Sequence, residues 1–148
     1  MIIYLIILII LMWAWIRIYS LPRYLYKVVK VEPSGVQHSC MVDGYARVDY
    51  TLNKKSRAPK NYAKGGYHIL AFNSLTHAYI FAGHRSSYRI LKCSYNFWDI
   101  RKLPKKRELE YVGEYANILT APITETFWPD GTICVKALTP RSVEYDWI

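Results

Sequence analysis

Sixteen residues, MIIYLIILIILMWAWI, precede the first charged side chain, Arg17, and that stretch constrains the chain more than any other. Wound as a helix, residues 1–19 measure about 28 Å at 1.5 Å per residue, close to the hydrocarbon thickness of a bilayer. Trp13, Trp15 and Tyr19 fall where an interfacial aromatic belt belongs, and Arg17 can reach back towards headgroups. A cleavable signal needs a positive start and small residues around a cleavage site. Here Met1 is followed by Ile-Ile-Tyr, and Trp13-Ala14-Trp15-Ile16-Arg17 places one alanine among bulky neighbours. The expectation is an anchor that stays. Arg17, Arg23, Lys27 and Lys30 come directly after the span, which keeps that flank, and the domain behind it, on the cytosolic side at insertion.

Beyond the span there is room for one domain, and a hydrophobic content of 52% supplies it with a core. The organisation expected is an anchor over 1–19, a basic juxtamembrane segment over 20–35 and a β-rich globular domain over 36–148. The fold class is mainly β, or α+β, as a single domain preceded by one N-terminal transmembrane helix. Fourteen tyrosines and five tryptophans favour strands and interfaces. A short strand fits 24–31 (YLYKVVKV), ahead of the turn Pro33-Ser34-Gly35. Further strands fit 45–52 after Asp43-Gly44, 67–72, 77–82 and 87–98. Residues 53–66 and 101–107 read as exposed basic loops. The segment 108–119 fits helix and strand spacing equally. A hairpin is expected where 123–128 and 132–138 flank Pro129-Asp130-Gly131.

The net charge of +9 is unevenly spread. Residues 1–107 hold 18 Lys/Arg against 4 Asp/Glu, and residues 108–148 hold 2 against 7. Such a block points to an anionic partner, or to pairing with the chain's own acidic third. Lys54, Lys55, Arg57, Lys60, Arg85, Arg89, Lys105, Lys106 and Arg107 are the candidate partner-binding cations. The loop Gly83–Arg89 offers Arg and hydroxyl groups to an anion, although a plain basic hairpin turn has the same composition.

No catalytic pattern ties residues of this chain together. His38, His68, His77, His84 and Cys93 supply the parts of a hydrolase site without its spacing, and no Gly-rich phosphate cradle occurs. His38-x-Cys40 needs ligands from elsewhere to hold a metal, and without a CxxC the three cysteines do not read as a zinc site. No cofactor, metal site or catalytic residue is therefore expected. No Asn-x-Ser/Thr triplet marks a glycosylated, secreted domain. If the domain reaches an oxidising space, one disulfide is expected; Cys93 with Cys134 is the chosen pair because both lie in the strongest strand candidates of the second half.

An apolar N-terminal stretch, MIIYLIILIILMWAWI, followed by Arg17, Arg23 and Lys27 and then one aromatic-rich domain, resembles the occlusion-derived virion envelope proteins of baculoviruses. In layout the chain is most similar to the small fourth member of their per os infectivity factors. The resemblance covers about thirty residues and is compositional. It implies that Trp13, Trp15, Arg17, Arg23 and Lys27 form an anchor and sorting signal to the inner nuclear membrane and virion envelope. It implies too that the domain is a non-enzymatic subunit of an entry complex, in contact with membrane lipid and other envelope proteins. The alternative is a phage or bacterial adaptor on the inner membrane, its domain facing the cytosol, whose basic loops bind anionic lipid or nucleic acid; nucleic acid is the less favoured of these partners. A third is an anchored hydrolase using Cys93 or a histidine.

Overall fold

The structure, a computed structural model, describes residues 1–40, 47–104 and 128–147. Helix α1 spans Ile2–Tyr19, and none of its residues is buried. No proline or glycine interrupts it before Pro22, and its last turn closes on Ser20, whose N–H donates to the Ile16 carbonyl and whose hydroxyl donates to that of Arg17.

A β-rich domain follows. Its strands are β1 (Leu25–Val31), β2 (Gln37–Ser39), β3 (Ser56–Arg57), β4 (Ile69–Phe72), β5 (Tyr88–Ser94), β6 (Ile100–Arg101), β7 (Thr132–Val135) and β8 (Ala137–Asp146). The helices α2 (Lys60–Lys64) and α3 (Leu75–Ala82) lie between them. The sheet runs β3-β8-β5-β1-β4-β7-β6, antiparallel throughout, with β2 paired to β1. Strand β1 is therefore central, so the basic segment 20–35 is not a spacer between anchor and domain. It enters the middle of the sheet.

One residue, Lys136, separates β7 from β8, yet three strands lie between them in the sheet order. The sheet must curl until its two flanks meet at that residue, and 132–146 act as one long bent strand at the seam. The concave face holds Leu25 and Val29 of β1, Ile69 and Ala71 of β4, Leu91 and Cys93 of β5, Val135 and Leu138, with Tyr50 closing over them. Such a curl gives a small sheet an inside, which is how a short chain hides this many aliphatic groups. The convex face carries Val28, Phe72 and Ile90, and α3 covers it with Ala78 and Ala82.

Several expectations change. The strand expected over 87–98 ends at Ser94, and Phe97–Asp99 form a 3₁₀ turn. Residues 77–82 are not a strand but the body of α3: Ser74 caps it, its hydroxyl accepting the His77 N–H at 3.2 Å, and Gly83 ends it with φ +57°. The loop 53–66 contains β3 and the one-turn α2. The strand expected at 45–52 reduces, in its described part, to a single bridge between His38 and Asp49; Asp43-Gly44 lies outside the described residues. The 132–138 strand breaks at Lys136, and strand continues to Asp146. The segment 108–119, and the hairpin arm 123–128 apart from Trp128, also lie outside the described residues.

Candidate membrane and partner surfaces

The chain leaves α1 through Ser20-Leu21-Pro22 and is tied to the sheet at once. The Tyr95 hydroxyl, just past β5, donates to the Pro22 carbonyl at 2.6 Å. Cations and rings are interleaved around this junction. The Arg17 guanidinium stands 4.9 Å from the Trp13 ring centre, and that of Arg23 stands 5.4 Å from Tyr24. Trp15 and Tyr19 pack at 4.8 Å. Trp13, Trp15, Arg17 and Arg23 are thus all exposed in the last turns of α1 and just beyond it.

Lys27 does not. It pairs with Leu91 of β5 on the face that holds Leu25 and Val29, and only 9% of it is exposed. Strand alternation leaves it no other direction. Its ammonium donates to the Leu70 carbonyl at 2.7 Å and lies 5.5 Å from the Tyr50 ring centre. It forms no ion pair among the described residues. Beside it lies a cavity of about 70 Å³, lined among others by Ser39, Cys40, Tyr50, His68 and Trp128. Burial pushes the Tyr50 phenol and the Cys40 thiol up, against the lowering effect of Lys27 on each. The Tyr50 hydroxyl lies 3.5 Å from that of Ser39 and the Cys40 thiol donates to the Val28 carbonyl at 3.3 Å, whereas the buried His68 Nδ1 has no partner among the described residues. The corrected role of Lys27 is internal, not membrane sorting.

The basic residues divide. Lys54, Lys55, Arg57, Lys60 and Arg85 are exposed. Arg89 is not free: its guanidinium pairs with Asp146 across β5 and β8, and Lys92 reaches Glu144 at 3.7 Å. On this edge the acidic end of the chain folds back onto the basic part. Lys105, Lys106 and Arg107 lie outside the described residues.

All three cysteines are free. Cys93 lies among the concave residues, whereas Cys134 pairs with Leu70, one position from the concave Ile69, and so points the other way. Two thiols on opposite faces with two strands between them cannot bridge. Desolvation pushes the Cys93 thiol up to about 12 and that of Cys134 to about 11. A protonated, sealed Cys93 is no nucleophile at neutral pH, which removes it from the hydrolase alternative. His38 is buried, with a ring nitrogen 2.9 Å from the Ser39 carbonyl and the other 3.6 Å from Glu32. His68 is lowered by burial and by Arg101 and Lys136. No group of three metal-ligating side chains occurs among the described residues.

Two surfaces escaped the sequence reading. At the end of the sheet away from α1, Tyr79 of α3 packs against His84, Tyr145 and Trp147 with ring centres 4.9, 5.2 and 5.5 Å apart. Ile80 beside it is 70% exposed. The helical spacing of 75–82 was the signal for that cluster, obscured by reading the segment as a strand. At the other end, Phe97 and Trp98 form a 3₁₀ turn with ring centres 3.5 Å apart, and Trp98 is 70% exposed. Comparison with protein-family models, with curated proteins and with solved structures finds no match.

Proposed function

We propose that this chain is a non-enzymatic, single-span membrane protein whose β-domain works by binding other proteins, as a subunit of a viral envelope complex for entry. The observation that carries the anchor is that α1 exposes every face while the sheet completes its core without it. An apolar helix of 18 residues with no protein surface to cover it belongs in lipid. The distal aromatic cluster supports protein contact, since Tyr and Trp supply most of the binding energy at interfaces. The virion envelope and the inner nuclear membrane are the locations that fit the sequence resemblance; a bacterial or phage inner membrane is the alternative.

Membrane residence is tested by carbonate extraction of the full chain, which should leave it in the pellet. Partner binding is tested by reversing Lys54, Lys55 and Arg57 to Glu, which should reduce the set of envelope proteins that copurify in gentle detergent and leave extraction unchanged. A variant that assembles normally but loses anionic liposomes would replace the subunit by a lipid-binding adaptor. Loss of neither makes the loop a solvated surface.

A further inference from the structure

We infer that the turn Tyr95–Asp99 is a second membrane contact, through which the end of the curled sheet nearest α1 rests on the anionic headgroups of the bilayer that holds the helix. The inference rests on the anchor reading above and adds to it a fixed orientation of the domain.

The register places the turn. Cys93 pairs with Leu25 at the start of β1, so the chain beyond β5 runs down beside Tyr24, Arg23 and Pro22. The Tyr95–Pro22 hydrogen bond holds it there. From Tyr95 the chain crosses the mouth of the curl to β6, where the Asp99 carbonyl accepts the Lys136 N–H at 2.7 Å, at the seam between β7 and β8. Tyr95 and Ile100 turn inward against the concave core, so the segment plugs that mouth. With these two facing in, Phe97 and Trp98 face out.

Distance decides what lies opposite them. Only Ser20, Leu21 and Pro22 separate α1 from this contact, at most about 10 Å of extended chain. The headgroup layer of one leaflet is roughly 5–8 Å deep. The plug therefore cannot stand more than a few ångströms clear of the membrane in which α1 is embedded. Trp98 offers an indole to the layer that tryptophan prefers. Arg23, Arg101, Lys102 and Lys136 are exposed around it, with the partly exposed Asp99 the one acid in the turn. Arg101 donates to the Trp98 carbonyl at 2.7 Å, fixing a charge beside the ring. Aromatic and basic groups combined at this depth match an anionic lipid surface.

The full chain is reconstituted in phosphatidylcholine vesicles containing phosphatidylserine, in a Cys40→Ser background where the other two cysteines are buried. An environment-sensitive dye is placed through Asn96→Cys, exposed within the turn, or through Ser86→Cys, exposed at the opposite end of the sheet. The dye at 96 should be blue-shifted and several-fold less accessible to aqueous iodide than the dye at 86. Adding Trp98→Ala, or leaving out phosphatidylserine, should restore access. Equal quenching at both positions in protein that still resists carbonate overturns this inference and leaves the anchor standing. Extraction by carbonate overturns both.

Discussion

Lys27 and Lys30 are three positions apart on β1 and face opposite worlds: one points into the concave core and the other into water. Glutamate at each position separates them. Lys27→Glu buries a carboxylate against the Leu70 carbonyl and should cost about 3 kcal/mol or more, whereas Lys30→Glu should change stability by no more than about 0.5 kcal/mol. Urea denaturation of both variants checks this; equal midpoints would mean that Lys27 is not internal. Composition could not have told the two lysines apart. In YLYKVVKV each alternate set of positions contains one lysine, so period two leaves the covered face undecided until β5 and Tyr50 are placed. Gly131 is a second residue whose role needs the fold. Its φ is +76°, and an added Cβ would fall 2.3 Å from a ring nitrogen of His77 and 2.5 Å from the Asn73 amide oxygen. Gly131→Ala should lower stability by roughly 1–3 kcal/mol, measured by thermal melting, through strain and loss of the Pro129–Thr132 turn that leads into β7 and accepts the Asn73 N–H.

At the scale of elements, α3 shows how a local signal can be present and still be misread. Ser74 before the segment and Gly83 after it are ordinary start and stop residues, and Leu75, Ala78, Tyr79 and Ala82 form a helical stripe against the convex face. The aromatic content of HAYIFA favours a strand, and the caps on either side outweigh it. Ser74→Ala removes the acceptor for the His77 N–H and should cost about 1 kcal/mol. The loss should appear as faster amide exchange over 77–82, with β5 and β8 unaffected. Strands β1, β4 and β5 were legible because each is a bounded run of apolar and β-branched residues. Strand β8 was not: LTPRSVEYD carries a proline and six residues with a charge or a hydroxyl, and it becomes a strand because β5 offers it partners over six registered positions. The proposed sites were legible only as composition. Exposure of Trp98, burial of Lys27 and the Arg89–Asp146 pair all depend on long-range register, which a single sequence does not encode locally.

For the whole molecule, the buried acids set an alkaline limit. The folded chain holds the protons of Cys93, Cys134 and Tyr50 more tightly than the unfolded chain does. Stability from the thiols is fully present below their ordinary value of 9.0 and is lost as pH rises towards about 11 and 12. Denaturation midpoints should therefore be level through neutral pH and fall above about pH 9; a midpoint level to about pH 11 would show that these groups ionise freely in the native state. The seam at Lys136 has a consequence in time. A domain that closes by joining β8 to β5 cannot finish until residues 137–146 have left the ribosome, and synthesis proceeds at roughly 5–20 residues per second. The apolar helix emerges before the β-domain, so it reaches the membrane while β1 and β5 still await their partner. For those seconds the nascent sheet is an open edge held beside lipid, and whatever protects it then, chaperone or bilayer surface, governs the yield of folded protein as strongly as the contacts of the finished domain.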